Sequence, residues 1–151
     1  MKAGRIQVST RHFEVKEVPT PNAGAGQIRI KVAAAGVCLS DVHFLDGTLS
    51  PGHLQSDEVT LGHEVSGTID QLGTGVTNFS LGDRVLIIAG ERNERGQVTT
   101  LGFDYDGGYA EFLVAKESLA VKIPDHLSFE EAAIIPDAVS TPWAAIRSTA
   151  E

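Results

Sequence analysis

The sequence predicts a mostly β domain with a few short helices, folded as an antiparallel barrel or sandwich. Three observations lead there. Short runs of strand character recur through the first two thirds of the chain, turn-forming clusters separate them, and sixteen glycines accompany few aromatics.

The elements follow in order. Gln27-Ile28-Arg29-Ile30-Lys31-Val32 alternates polar and apolar side chains, the period of a half-buried strand. It is entered from Pro19-Thr20-Pro21-Asn22-Ala23-Gly24-Ala25-Gly26, a stretch that cannot continue regular structure. A short helix is expected from Leu39 to Leu45 with Ser40 as its N-cap. Further strands are expected near Val65 to Leu72 and near Arg84 to Ile88, the latter entered through the turn Leu81-Gly82-Asp83. Residues 90 to 107 carry the weakest signal, and the polar run Gly90-Glu91-Arg92-Asn93-Glu94-Arg95-Gly96 reads as a solvent loop. Ala110 to Val114 and Leu119 to Ile123 complete the strands. Ser128-Phe129-Glu130-Glu131 is a capping box opening the helical run Ala132 to Ile135. After Pro136, Thr141 through Ile146 begins another helix, whose Trp143, Ala144 and Ile146 call for an apolar neighbour not evident in the chain. There is no internal repeat.

Composition narrows the function. At 151 residues the chain can bury one core. A formal net charge of -8 repels phosphate backbones and anionic headgroups, so neither nucleic acid nor a membrane surface is an expected partner. No stretch reaches the ~20 apolar residues of a bilayer span, and Met1-Lys2-Ala3-Gly4-Arg5-Ile6-Gln7-Val8 does not resemble a signal peptide. The single cysteine, Cys38, precludes an intramolecular disulfide and fits a reducing compartment. A soluble cytoplasmic protein is the expectation.

Three donors stand out: Cys38, His63, and Asp137 after Pro136. A thiolate, an imidazole and a carboxylate supply three zinc ligands and leave a fourth position for water or substrate, as catalytic zinc requires. Taken singly, each has a plainer reading: Cys38 a small core residue, His63 a hydrogen-bonded structural histidine, Asp137 a helix cap. Their wide separation in sequence does not choose between the two.

The surrounding pattern does. Gly62-His63-Glu64-Val65-Ser66-Gly67, five residues, Gly73, two residues and Val76 match the signature of zinc-containing alcohol dehydrogenases. Gly36-Val37-Cys38-Leu39-Ser40-Asp41-Val42-His43 resembles that family's first zinc-ligand segment, and Gly82-Asp83-Arg84-Val85 and Gly107-Gly108-Tyr109-Ala110-Glu111 resemble later landmarks in the expected order. The chain therefore resembles the catalytic half of a zinc-dependent medium-chain alcohol dehydrogenase from Met1 to about Ile146.

The resemblance implies a GroES-like antiparallel β-barrel, related to the co-chaperonin fold. It implies Cys38 and His63 as zinc ligands, with Asp137 where most relatives place a third, cysteine ligand. Glu64 matches a glutamate beside the metal that can approach it or take the solvent's place; the alternative is a carboxylate that never binds zinc. Asp41 matches a carboxylate that accepts the far N–H of His63; the alternative is a cap for the turn after Cys38. Ser40 matches the hydroxyl that bonds the substrate alcohol, and His43 a histidine that passes the proton on to solvent. Thr141 matches a nicotinamide contact; the alternative is the N-cap of the last helix. Leu39 stands where many relatives carry a basic residue touching the cofactor's pyrophosphate. The loop from Gly90 to Asp106 has no cysteine, so the second, structural zinc of many relatives is not expected.

No Gly-x-Gly-x-x-Gly follows a strand and opens a helix, so the dinucleotide-binding Rossmann domain is expected to be missing. In the family it follows at about this point and adds roughly 150–200 residues. Residues 1–151 are expected to form one domain, truncated inside a helix. The implied function is oxidation of an alcohol, or reduction of an aldehyde or ketone, with one catalytic zinc and with NAD or NADP bound by the second domain. The full-length enzyme is expected to be a homo-oligomer, and this piece alone to be inactive. Two other readings are a zinc-free quinone or enone reductase of the same superfamily and a non-enzymatic co-chaperonin-like binding module. The thiol and imidazole at motif positions argue against both.

Overall fold

The computed structural model describes residues 1–149; the expectation of a helix continuing to Glu151 lies outside the described residues. The elements, in order, are β1 (Lys2–Gln7), β2 (His12–Glu17), β3 (Gln27–Gly36), α1 (Leu39–Asp46), β4 (Glu58–Thr60), β5 (Glu64–Leu72), β6 (Arg84–Ile87), β7 (Gly90–Arg92), β8 (Val98–Thr100), β9 (Phe112–Lys116), β10 (Ala120–Lys122), α2 (Phe129–Ala133) and α3 (Ser140–Thr149). A 3₁₀ turn, Glu117–Leu119, precedes β10, and a π-helical turn, Ile135–Val139, joins α2 to α3.

All pairings between strands are antiparallel. β10-β6-β5-β3-β9 form the main sheet, β2-β1-β4 a second, and β7-β8 a small hairpin. The main sheet curls around its own apolar face without closing: β9 and β10 remain its edges among the described residues. A single bridge, Ala3 to Ala110, ties the second sheet to the approach of β9.

The register explains the core. Ile30 of β3 faces Ile69 on one neighbour and Leu113 on the other, and Val65 of β5 pairs with Ile87 of β6. These side chains join Ile28, Val85 and Leu101 in one buried cluster. A smaller cluster of Ile6, Phe44, Val59, Leu61 and Phe103 lies under α1 and gives that short helix its footing. Helix α2 covers the other face of β3 and β5, where the Ser66 hydroxyl donates to the Phe129 carbonyl at 2.6 Å. Both faces of β5 are thus covered, which is why Glu64, Val65, Ser66 and Gly67 are buried in succession.

Several expectations need correction. β1, β2 and β4 carry too little alternation to be read from sequence: β2 buries almost nothing, and β1 is interrupted by Gly4. The expected solvent loop Gly90–Gly96 instead holds β7 and the turn from Asn93 to Gly96 (φ 76°) that leads into its hairpin partner β8. The strand expected at Ala110–Val114 is shifted to Phe112–Lys116. The N-cap of α1 is Cys38, not Ser40, because Asp41 reaches back to the Cys38 amide at 3.0 Å. The Ser128 capping box forms as read, with Ser128 accepting from the Glu131 amide at 3.2 Å and Glu131 from the Ser128 amide at 2.9 Å.

Candidate metal centre

The pairing of β3 with β5 ends at Gly36 opposite Glu64. The chain that follows Gly36 and the chain that precedes Glu64 therefore leave the sheet side by side, and each carries a donor within two residues. Cys38 caps α1; His63 sits between β4 and β5. Asp137 arrives from the π-helical turn, which packs over the same end of β5. Cys38, His63 and Asp137 each bring one ligand atom into a group whose members all lie within 4.8 Å of one another. The His63 Nε2 lies 3.2 Å from Asp137 Oδ2, and the Cys38 sulfur 3.5 Å from the same oxygen.

Two glycines make the approach possible. Gly62 adopts φ 96°, a region that penalises side chains, and the Tyr109 ring occupies the space its Cβ would need. A Cβ on Gly36 would collide with the Glu64 carboxylate.

His63 is buried, at 3% exposure, with Phe103 tilted against its ring at 5.2 Å. Its Nδ1 faces Asp41 Oδ1 at 3.5 Å, and neither atom has a hydrogen-bond partner. Burial by itself would lower the His63 pKa, but Asp41 and Cys38 outweigh it and raise the value to about 9. Asp41 and Asp137 are held below the ordinary carboxylate range. For Asp41, burial pushes upward and is overcome by His63, the Cys38 amide and Tyr109. For Asp137, burial is overcome by the Thr141 hydroxyl, Cys38 and His63. Two ionised carboxylates thus flank one buried imidazole, a setting that favours a cation.

The donor set passes a test of fit for zinc. One sulfur, one nitrogen and one oxygen suit that ion, and the tetrahedron drawn by ordinary zinc bond lengths has edges of about 3.3–3.7 Å. The Cys38–Asp137 separation of 3.5 Å falls in that range and the His63–Asp137 separation of 3.2 Å just below it. His63 Nδ1, left without a close partner, is the N–H that a carboxylate customarily orients when the other ring nitrogen binds metal.

The remaining candidates divide. Ser40 lies beside the cluster, its hydroxyl 3.7 Å from the Cys38 sulfur. His43 is one turn further along α1 and half-buried. Glu64 is buried beside the three donors but stands outside the group: its Oε1 accepts the Ala138 amide at 3.1 Å and so anchors the π-helical turn. Thr141 is not an N-cap; it lies inside α3 and donates to Asp137 Oδ1 at 2.8 Å. Asp41 caps the turn, Oδ2 taking the Cys38 amide, while Oδ1 faces His63 Nδ1 at 3.5 Å without a hydrogen bond between them. Sequence reasoning missed Phe103, and it quoted Tyr109 only as a landmark; spacing carries no sign of which atom the Tyr109 hydroxyl meets.

Ser40, His63, Asp137 and Thr141 open together onto a cleft of about 450 Å³, bordered by Leu49, Pro51 and Phe103. Another cleft, of about 430 Å³ between Arg5, Thr60 and Phe112, contains none of the three donors. No helix among the described residues is long and apolar enough to cross a membrane.

Known proteins resemble this chain along most of its length. A family model described as the alcohol dehydrogenase GroES-like domain matches residues 24–125. An alcohol dehydrogenase of Geobacillus stearothermophilus is 35% identical over 164 residues, covering 99% of this chain and 48% of that protein. A (R,R)-butanediol dehydrogenase of Bacillus subtilis is 34% identical, covering 93% of this chain and 45% of that protein. Among solved structures, an acetophenone reductase from Geotrichum candidum in complex with NAD superposes with a TM-score of 0.86 at 29% identity, covering 97% of this chain and 47% of the other. The chain spans about half the length of the curated relatives it matches.

Proposed function

Because the chain belongs to the alcohol dehydrogenase GroES-like domain family, we propose that it is the catalytic domain of a zinc-dependent alcohol dehydrogenase, interconverting a small alcohol and its aldehyde or ketone. Residues 1–151 form that domain, and a Rossmann domain outside this sequence binds NAD or NADP. The observation that carries the reading is the convergence of Cys38, His63 and Asp137 within 4.8 Å, with His63 and Asp137 lining an open cleft.

Cys38, His63 and Asp137 would hold one zinc ion, which supplies Lewis acidity toward the oxygen of the alcohol or carbonyl. The chain's own residues do the rest. Asp41 keeps its Oδ1 toward His63 Nδ1 and so favours the tautomer that leaves Nε2 free for metal. Ser40, beside the Cys38 sulfur and open to the cleft, takes the hydroxyl proton of the substrate. His43 hands it to solvent. Thr141, its own proton committed to Asp137 and its side chain lining the cleft, would contact the nicotinamide of a bound cofactor. Glu64 acts from outside the donor group, fixing the Asp137 turn through the Ala138 amide.

Metal analysis tests this directly. The wild-type chain, prepared without chelator, should carry one zinc, and Cys38→Ser and His63→Ala should each lose it while their circular dichroism stays that of the parent. A wild-type chain that takes up no zinc would sink the proposal and revive the zinc-free reductase reading.

A further inference from the structure

The geometry points to Tyr109 as the positioning residue of this centre, holding Asp41 so that one carboxylate oxygen stays committed to His63. The inference rests on the zinc reading above and adds a residue that belongs neither to the donor group nor to the cleft lining.

Tyr109 reaches two of the three segments that meet at the site, those that carry Cys38 and His63. Its amide donates to the Leu61 carbonyl at 2.8 Å, and the neighbouring Gly108 amide donates to the Gly62 carbonyl at 2.8 Å, so the strand-like approach to β9 clamps the two residues before His63. Its ring fills the space left by the missing Gly62 side chain. Its hydroxyl lies 2.8 Å from Asp41 Oδ2 and 3.0 Å from the Gly36 carbonyl. One hydroxyl has one proton, and an ionised carboxylate is the stronger acceptor, so the proton goes to Asp41.

Asp41 Oδ2 therefore receives two donors, the Tyr109 hydroxyl and the Cys38 amide. With Oδ2 fixed from two directions, the carboxylate cannot rotate, and Oδ1 is left facing His63 Nδ1 at 3.5 Å. Remove the phenol and Asp41 keeps a single anchor on the flexible turn it caps. The His63 ring then loses a fixed partner on the side away from the metal.

Tyr109→Phe separates this role from packing, since the ring and the backbone clamp remain. In the full chain, zinc affinity is read by competition with a chromophoric chelator. The expected result is one zinc still bound, about 10-fold more weakly, the lower end of what outer partners of a metal histidine contribute. The His63 ring ¹⁵N shifts, recorded on the metal-free chain at a pH high enough to make the imidazole neutral, should move from those of a single Nδ1-protonated tautomer toward a mixture in the variant. Adding Asp41→Asn to Tyr109→Phe should weaken zinc little beyond Asp41→Asn alone, because the two act as one unit. Unchanged affinity with unchanged ring shifts, or fully additive losses, would overturn the inference. Its failure is distinguishable from failure of the zinc reading: a wild-type chain without zinc refutes that reading, while the metal-free ring shifts of wild type and Tyr109→Phe still decide the role of Tyr109.

Discussion

Each half of β5 buries side chains, and the two buried stretches are chemically opposite. In the far half Ile69, 1% exposed, packs against Ile30 in the apolar cluster. In the other, Glu64 and the adjoining His63 are both 3% exposed, yet one is a carboxylic acid and the other a base. Burial is therefore not what separates core from site in this molecule; what separates them is what the neighbours supply. Around Ile69 they supply only carbon. Around His63 they supply Asp41, Asp137 and Cys38, and two facing atoms, Asp41 Oδ1 and His63 Nδ1, are left without close partners. The apolar end is satisfied by its own neighbours, whereas the proposed zinc would complete the polar end.

Breaking the apolar end should have the largest effect on stability. Ile30→Ala removes a side chain packed between β5 and β9, and should cost about 2–5 kcal/mol in denaturant unfolding. The surviving folded fraction should still carry one zinc per chain. Loss of metal in parallel with stability would mean that the two ends are not separable.

Titrating the polar end sharpens the contrast. The His63 pKa is raised from its ordinary 6.5 to about 9 in the folded, metal-free chain. A raised pKa means that the folded state holds the proton more tightly than the unfolded state does. The stabilisation is then fully present below pH 6.5 and is lost as pH rises through about 9. Urea unfolding in the presence of a chelator should accordingly show declining stability over that window. Saturating zinc should reverse the slope, since the metal displaces that proton and binds better as pH rises. A flat profile in chelator would show that the imidazole carries no charge there.

The smallest effect belongs to the cap of α2. Ser128→Ala removes the hydroxyl that accepts the Glu131 amide and should destabilise the chain by about 1 kcal/mol. Zinc affinity should be unchanged, because the cap bonds only within the first turn of α2.

Legibility in the sequence followed the same division. Strands β3, β5 and β6 announce themselves because one or both faces are apolar, and their bounds were read to within a few residues, except that β3 continues to Gly36. β1 and β2 were silent because their stability comes from pairing and from few buried side chains, Ala3 and Ile6 among them. At the site, residue types and motif spacing singled out Cys38, His63, Asp137 and Asp41. They could not reveal that the partner of Glu64 is the Ala138 amide, nor that of Thr141 the Asp137 carboxylate, because both contacts depend on a π-helical turn. Pro136 announced a break there, and the chain instead widens its helix by one residue.

That widened turn fixes an angle. Within it the Val139 amide donates to the Ile134 carbonyl, five residues back, at 3.3 Å, and the Ala138 amide is released to the buried Glu64. An α-helix advances about 100° per residue, so deleting a single position here would swing the Asp137 carboxylate by roughly that amount about the helix axis. The local hydrogen-bond ladder would become more regular, and the third donor would face the wrong way. An irregularity of one residue thus sets the azimuth of a ligand, with a carboxylate from the neighbouring strand acting as the detent that keeps it there.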